Sequence, residues 1–409
     1  MVIYLSALNG TIMVTQLSRR QWLGTCATVA GTTAIAGCSG SDENGNEEDE
    51  HGDNDGEESS SSDWPMYGVD LQNTGHHPDA KGPDGNEVTE RPLLDLNGIS
   101  FDPVCIVDGI AYGHTTAGKI YALDLETEER LWETDRTGYP IVFDGMVYGP
   151  TTDMRVHGYD TKTGNRWESE KLESVGGLGR PLPTQNGILV TTSEEVWRVN
   201  PNTGEYTQVI EIPPYIGGSN DWPAFLDDTL YTVRGSELHA LNVETSEIDW
   251  TFEPENKGSM IDSNPAIGDG AVYLASRDQN LHAIDIESGE EIWRVDTDTR
   301  VEASPSIMDN LVYLSEPNHI IAVDAESGEI EWEQKSLTGT PVDVIVADNT
   351  CYAASRFGIW AYDAQSGKLD WKYEIPNESD VGFIAPPVVY DGSIYVSSND
   401  ETLRVIENV

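Results

Sequence analysis

The chain has few basic residues, and after its N-terminal segment no stretch has the 3.6-residue period of an amphipathic helix. Its 409 residues carry 23 lysines and arginines against 72 aspartates and glutamates, a formal net charge of −49. Such an excess of negative charge argues against nucleic acid and anionic lipid as partners. It is typical of the solvated surface of a protein from a salt-loving organism, which we take to be an archaeon.

Cysteine is also scarce, with four in the whole chain and no two adjacent. Cys26 and Cys38 lie in the N-terminal segment. Cys105 and Cys351 fall in repeats that are separated around the predicted ring, so a disulfide is not expected even in an oxidising compartment. We expect both to be small buried apolar residues.

Common catalytic motifs are missing. There is no G-x-S-x-G elbow, no H-E-x-x-H pair and no G-x-x-x-x-G-K-(S/T) loop. Acidic pairs such as Asp227-Asp228 carry almost no information at this composition. The sequence therefore predicts no catalytic residue and no metal site.

The chain contains one sequence motif that is repeated seven times. Each copy predicts a short strand and a small loop, usually followed by a tryptophan. The copies lie at 120–132, 156–167, 196–208, 238–250, 281–293, 320–332 and 359–371, and a truncated copy lies at 403–407. A repeat of about forty residues is typical of an array of small β units. The clearest unit, 265–295, contains alternating β-branched and aromatic runs separated by Asp-Gly and Glu-Ser-Gly-Glu turns. Four short antiparallel strands in such a unit predict a propeller blade.

Each unit opens on an X-Pro pair, which suits the start of a strand because proline gives up no ladder hydrogen bond there. The pairs are Asp102-Pro103, Tyr139-Pro140, Arg180-Pro181, Trp222-Pro223, Asn264-Pro265, Ser304-Pro305, Thr340-Pro341 and Ala385-Pro386. Eight pairs predict an all-β, eight-bladed propeller over residues 63–409. The eighth blade lacks a final strand, so we expect 91–97 to pair onto it and close the ring.

Two residue types recur at fixed places in the repeats. Tryptophans 132, 167, 250, 293, 332 and 371 are interpreted as inter-blade packing rather than cofactor contacts. Blade three has Gln208 at this place and is expected to pack less well. The Asp or Asn before each turn, as in Asp285 and Asn242, is expected to cap local backbone rather than to bind metal.

The N-terminal sequence is typical of a targeting segment. Ser18-Arg19-Arg20-Gln21-Trp22-Leu23 matches a twin-arginine export motif, and Ile35-Ala36-Gly37-Cys38 matches a lipobox in which Cys38 receives the lipid. We expect residues 1–37 to be the signal, with Met13 as a plausible start. Residues 38–62 form a disordered acidic tether. These features predict a lipoprotein on the outer face of the cytoplasmic membrane.

The repeats resemble the PQQ-like β-propeller family, which includes quinoprotein dehydrogenases and the outer-membrane assembly lipoprotein of Gram-negative bacteria. The resemblance rests on A-x-D-x-x-(T/S)-G-x-x-x-W, matched best at 283–293 and 322–332. It also rests on the opening motif Asp63-Trp64-Pro65-Met66-Tyr67-Gly68, followed by Asp70 and Asn73-Thr74-Gly75. It implies the propeller fold, on which both redox enzymes and non-catalytic scaffolds are built.

The resemblance allows the enzyme interpretation to be examined. Quinoprotein dehydrogenases stack a quinone between a tryptophan and a vicinal disulfide and hold Ca²⁺ with carboxylate and amide oxygens. Trp222 and Asp221 could stand beside a quinone, but adjacent cysteines are missing. We therefore expect a non-catalytic binding or assembly scaffold with no cofactor. A PQQ-dependent dehydrogenase with Ca²⁺, and a sensor or carrier of a small extracellular ligand, remain the alternatives.

A binding site is expected where the residues before the prolines ring one mouth of the central channel. Loops feeding this mouth add Arg136, Tyr215, Lys257, Arg300 and Lys335. We predict that Tyr139, Arg180, Trp222 and Arg300 bind an anionic or peptide segment. The alternative is that each arginine pairs with neighbouring acids. The expected partner is a protein or small ligand at the cell surface, bound by a monomer that contacts the membrane through its lipid alone.

Overall fold

A computed structural model describes a propeller domain built from eight sheets of four antiparallel strands, one of which gains a short fifth strand, His76–His77, parallel to Ile345–Ala347. The described residues are 63–409 without 86, 97, 99–102, 135–137, 175–176, 213–221, 256–259, 298, 336, 340–341 and 377–379, and also the strands Ser6–Leu8 and Thr11–Met13. Those two strands form a small hairpin of their own. Arg19, Arg20, Cys38 and the acidic tether lie outside the described residues, so the predictions for them stay predictions. No helix in the described part of the chain is long and apolar enough to cross a bilayer.

Each blade has four strands, which we label A to D from the axis outwards. In blades one to four they are Cys105–Val107, Ile110–Thr115, Lys119–Asp124 and Arg130–Glu133; Ile141–Phe143, Met146–Pro150, Val156–Asp160 and Arg166–Glu168; Leu182–Thr184, Gly187–Thr191, Glu195–Val199 and Tyr206–Glu211; Ala224–Leu226, Thr229–Arg234, Glu237–Asn242 and Glu247–Phe252. In blades five to eight they are Ala266–Gly268, Ala271–Ser276, Asn280–Asp285 and Glu291–Asp296; Ser306–Met308, Leu311–Glu316, His319–Asp324 and Ile330–Gln334; Ile345–Ala347, Thr350–Ser355, Gly358–Asp363 and Leu369–Glu374; Val388–Tyr390, Ser393–Ser398, Thr402–Asn408 and Val88–Asp95. The predicted count of eight blades is confirmed.

The ring closes through the N-terminal strand, as predicted. Val88–Asp95 pairs antiparallel with Thr402–Asn408 and supplies strand D of blade eight, with Arg91 opposite Val405. The buried guanidinium of Arg404 forms ion pairs with Glu90 on this strand and with Asp400. Removing either carboxylate would leave the positive charge of Arg404 poorly solvated. The closing strand is therefore held by ion pairs as well as by backbone hydrogen bonds.

The repeated tryptophans pack between blades, which confirms their predicted role. The indole nitrogen of Trp293 in blade five donates to the carbonyl of Ala325 in blade six at 2.9 Å, and Trp250 and Trp332 repeat the bond one blade earlier and one blade later. Each of these rings lies against a glycine in the next blade. A Cβ on Gly328 would lie 2.9 Å from the Trp293 ring, so only glycine, which here has φ of +74°, leaves room.

The aspartates before the turns cap local backbone, as predicted. Asp285 accepts hydrogen bonds from the Ser288 hydroxyl at 2.7 Å and from the Ser288 amide at 2.8 Å. These bonds hold the pKa of the Asp285 carboxyl below its ordinary value. Cys105 and Cys351 are both buried thiols and not joined in a disulfide, also as predicted. Burial raises the pKa of the Cys351 thiol to about 12.

Candidate functional site

The axis of the propeller is filled by the chain itself. Residues 63–77, which we call the opening segment, run around the axis and contact the innermost strand of blade after blade. The middle residue of strand A donates its amide to this segment, as Val142 does to the Pro65 carbonyl at 2.9 Å. The remaining bonds of this kind are Ile106 to Trp64, Phe225 to Leu71, Ile267 to Gln72, Ile307 to Thr74 and Val346 to Gly75.

The series of backbone hydrogen bonds between strands A and the opening segment skips blade three. The middle residue of its strand A, Leu182–Thr184, is Pro183, which has no amide hydrogen to donate. The apolar side chain of Leu71 instead packs against the core of that blade. The opening segment thus holds six of the eight innermost strands by backbone bonds and contacts blade three by packing.

The course of the opening segment depends on residues in left-handed conformations. Gly68, Asn73 and Gly75 have φ of +66°, +56° and +62°. A Cβ on Gly75 would lie 2.2 Å from the Ser306 hydroxyl oxygen. Asp70 braces the same loop by accepting a hydrogen bond from the Thr74 hydroxyl at 2.6 Å. The glycines and small polar residues of the opening motif are therefore required by backbone geometry.

Three of the four predicted ligand residues come together beside this segment. The Arg180 guanidinium carbon lies 3.6 Å from the Tyr139 ring centre and 3.9 Å from the Trp222 ring centre, within cation–π range. Tyr67 of the opening segment stacks on Trp222, with 5.0 Å between ring centres and 9° between planes. Arg180, Trp222 and Tyr67 are all at least 93% buried. The predicted cluster thus exists, and the chain's own tyrosine is part of it.

A belt of polar contacts extends from this cluster around the axis. The Asn73 side-chain amide donates to the carbonyls of Trp222 and Pro265 at 2.9 and 3.1 Å. The Asn264 amide group and backbone both donate to the Ser304 hydroxyl. The belt ends at Asp343, which accepts from the Ser304 amide at 2.7 Å and from the Tyr67 hydroxyl at 2.6 Å. Burial, together with the Asp343 charge, raises the pKa of Tyr67 well above its ordinary value.

Little space is left at the axis. The cavity between the opening segment and the strand-opening residues of blades six and seven has a volume of about 20 Å³. One water needs about 10–15 Å³ measured in this way. Among the described residues at the axis, Tyr67 stacks on Trp222 and the cavity beside Tyr67 is water-sized, so these residues as arranged do not fit a quinone. No cluster of three or more metal-ligating side chains occurs in the described part of the chain.

Arg300, the fourth predicted ligand residue, is not part of the aromatic cluster. It is exposed and lines an open cleft of about 330 Å³ together with Glu302, the buried Glu316, Asp343 and Ile384. Of the other residues predicted in the loops at this mouth, Lys335 alone lies within the described part of the chain. Lys335 pairs with Glu333 at 2.7 Å, whereas Arg136, Lys257 and Tyr215 lie outside the described residues, as do Asp102 and Thr340.

Sequence reasoning did not find that Tyr67, Asn73 and Asp343 form the centre of the molecule. The only signal was the opening motif itself, whose glycines, asparagine and aromatics lie too far along the chain from their contacts to be assigned a place. Tyr67 and Asp343 are separated by 276 residues.

A family model described as outer membrane protein assembly factor BamB matches residues 53–213 and 234–408. Among curated proteins, a 1-butanol dehydrogenase (cytochrome c) from Thauera butanivorans is 32% identical over 143 residues. That match covers 33% of this chain and spans only about a fifth, 19%, of the length of the enzyme.

Solved structures share the fold at low sequence identity. The quinohemoprotein alcohol dehydrogenase of Comamonas testosteroni superposes with a TM-score of 0.66 at 14% identity, covering 84% of this chain and 80% of the enzyme chain. BamB of Moraxella catarrhalis superposes with a TM-score of 0.60 at 18% identity, covering 78% of this chain and 98% of that one. At these identities the superpositions establish the propeller and no chemistry.

Proposed function

The chain belongs to the family described as outer membrane protein assembly factor BamB, and on that premise we propose that it is a non-catalytic binding or assembly scaffold. It would be exported, anchored through Cys38 to the outer face of the cytoplasmic membrane, and bind a protein partner through the faces or rim of its propeller. The proposal takes partner binding from the family and leaves the partner's identity open.

The observation that carries the proposal is the filled axis. A redox cofactor at the centre of the ring would need a chamber, and the opening segment occupies that position with Tyr67 stacked on Trp222. The six backbone bonds from strands A make this occupation part of the fold. Binding surface is therefore left on the two faces and the outer rim, where proteins dock more readily than small cofactors.

The dehydrogenase alternative has support from the match to the 1-butanol dehydrogenase. It requires a quinone to displace Tyr67 from Trp222 and to do so without the vicinal disulfide expected of those enzymes. Titration of the chain with PQQ, with and without Ca²⁺, tests this through tryptophan fluorescence. We expect no saturable quenching; quenching that saturates in a Ca²⁺-dependent manner would favour the dehydrogenase over the scaffold.

Scaffold function is tested by photo-cross-linking on intact cells. A benzophenone side chain is placed at Phe357, in a B–C turn on the face that carries the Arg300 cleft, at Phe143, in an A–B turn on the opposite face, and at Gln208 on the rim. These residues are exposed. We expect discrete protein adducts from one position with fewer or none from the others. Absence of adducts at all three positions would contradict the proposal.

A further inference from the structure

The junction between blades three and four is built differently from the tryptophan-packed junctions. Where Trp132, Trp250, Trp293 and Trp332 dock, the next blade carries a glycine in its turn. Gln208 of blade three stands where the other blades have a tryptophan by sequence spacing, but it pairs with Trp197 and bonds Glu195 on the face toward blade two. Thr207, opposite Arg198, takes the tryptophan's place on the face toward blade four. The matching turn position in blade four is Ser246, with φ of +59°. A side chain is tolerated at Ser246 because no indole presses on it.

Another side chain makes the hydrogen bond that an indole makes at the other junctions, but no aromatic ring takes the place of the indole. At the junctions that follow blades one, four, five and six, the indole nitrogen donates to the carbonyl after the capping Asp. At this junction Arg198 donates to the corresponding carbonyl, that of Val243, at 3.5 Å and forms an ion pair with Glu244 at 2.7 Å. An open groove of about 480 Å³ lies at this junction, lined by Gln208, Val209, Ile210, Glu211, Ser246 and Ile248.

The other junction without a tryptophan, between blades eight and one, is covered. There Arg91 spans the gap and pairs with Glu128, the side chain that stands at the glycine position, at 2.8 Å. The strand that borders this junction also contains Pro92, which removes one amide from its outer edge. The junction between blades three and four has a comparable ion pair, Arg198 with Glu244, but its edge strand contains no proline.

The edge strand beside the groove also lacks the usual protection. Outer strands avoid unwanted pairing by carrying charges, and strand D of the other blades carries at least one charged residue in its first three positions. Blade three instead presents Tyr206, Thr207, Gln208, Val209 and Ile210, five uncharged residues in succession, before Glu211. A bulge between Val196 and Trp197 shifts the pairing of this strand, placing Gln208 opposite Trp197.

We propose that the groove between blades three and four docks an extended segment of a different protein, which pairs with the edge of Tyr206–Glu211 and inserts one large aromatic side chain into the place of the missing indole. Strand addition to an exposed edge, with a pocket for an alternate side chain, is a general mode of peptide recognition. The inference rests on the proposed scaffold function and assigns the partner-binding surface within it.

Charge indicates which occupant fits. Exposed carboxylates surround the uncharged strand, namely those of Glu205, Glu211, Glu247 and Asp249. A second copy of this chain would bring the same carboxylates against them, and like charges across an interface are unfavourable. A segment with β-branched residues in its middle and lysine or arginine at its ends is complementary to both the strand and its surroundings.

The test measures binding of a designed probe, the peptide Lys-Val-Thr-Val-Trp-Val-Thr-Val-Lys, to the full chain by fluorescence anisotropy. We expect saturable binding that weakens at least tenfold in Ile248→Lys, which places a charge in the groove, and in Thr207→Trp, which fills the groove from within. Ile330→Lys is the matched control, because Ile330 holds the same place two residues before a tryptophan in blade six and is 49% exposed against 40% for Ile248. Binding to this control should stay within twofold of the unaltered chain.

Two probe variants separate the contributions. Replacing the central tryptophan of the peptide by alanine should weaken binding at least tenfold, and replacing both terminal lysines by glutamate should weaken it further. No saturable binding, or equal loss in Ile330→Lys, would overturn the inference. A concentration-dependent dimer that Ile248→Lys dissolves would assign the groove to a second copy and overturn the stated occupant. If the peptide fails while a benzophenone at Phe357 or Phe143 still cross-links a protein, the scaffold function stands and the groove assignment is wrong.

Discussion

Two junctions of the same ring, between blades six and seven and between blades three and four, differ in a pair of residues. In the first, Trp332 is buried against Gly367 and donates to the Ala364 carbonyl at 2.8 Å. In the second, Thr207 and Ser246 stand at these places, and a groove lies between the blades. The comparison shows that the tryptophan of one blade and the turn glycine of the next blade occur together. A repeat has glycine at this turn position only where an indole or the backbone of the preceding blade packs against it.

The junction between blades two and three refines this rule. Gly204 is retained there, although its closest neighbours are backbone atoms of Glu168 and Ser169 rather than an indole. A Cβ on Gly204 would lie 3.0 Å from the Ser169 Cα. Glycine is therefore needed at this turn position wherever any atoms of the preceding blade come close to it. Ser246 and Glu128 occupy the two turns where no such close approach occurs.

The largest expected effect is the loss of a docked indole. Trp332→Ala should lower the free energy of unfolding by about 3–5 kcal/mol, because a large buried aromatic leaves a cavity. Gln208→Ala should change it by less than about 0.5 kcal/mol, as an exposed residue. Chemical denaturation of both variants measures the difference, and equal losses would show that the junctions are not energetically distinct.

A smaller effect is expected from the glycine partner. Gly367→Ala places a Cβ 2.5 Å from the Trp332 ring at φ of +66°, and the left-handed conformation alone costs about 1–2 kcal/mol. Ser246→Ala in blade four, already a non-glycine residue at φ of +59°, should be nearly neutral. Denaturation midpoints compare the two, and a double-mutant cycle of Trp332 with Gly367 should be non-additive.

The comparison can also be reversed by converting one junction into the other. Thr207→Trp combined with Ser246→Gly should raise stability by roughly 0.5–2 kcal/mol, the usual gain from filling a cavity. Thr207→Trp alone should gain less, because the Ser246 Cβ occupies space that the indole needs. A double variant no more stable than the original chain would show that the groove is too open to hold the ring.

The smallest effect concerns pH. Hydrogen bonds from Ser288 and Ser327 hold the pKa of Asp285 and Asp324 below the ordinary value. A carboxyl with a lowered folded-state pKa stabilises the fold above its unfolded pKa, near about 3.9, and loses that contribution as pH falls below it. Blades three and four carry Asn200 and Asn242 at these turns and cannot titrate.

Urea unfolding of the original chain and of Asp285→Asn/Asp324→Asn at pH 6 and pH 3 measures this contribution. The double variant should lose slightly less stability between the two pH values than the original chain. An identical loss would show that the exposed caps are screened by solvent to the point of contributing nothing measurable.

The aromatic cluster at the axis shows where prediction from sequence reached its limit. The X-Pro pairs placed Tyr139, Arg180 and Trp222 around one mouth of the channel, and in the structure Arg180 lies over both aromatic rings. The same reasoning placed Arg300 with them, whereas it lines a separate cleft. It left the axis open, because nothing local in Tyr67 or Asn73 reports that they stack and bond there.

The sequence by itself determined the number of blades, their turns, the closing strand and the junction that lacks a tryptophan, because each depends on residues within one repeat or at equivalent places in successive repeats. Only the tertiary structure decided that the opening segment fills the axis and that an open groove lies at the junction between blades three and four. Both depend on contacts between residues far apart in the chain, such as Tyr67 with Asp343, 276 positions away. The period of a repeat specifies neighbours along the ring, while what occupies its centre is settled by space, stacking and hydrogen bonds once the ring has closed.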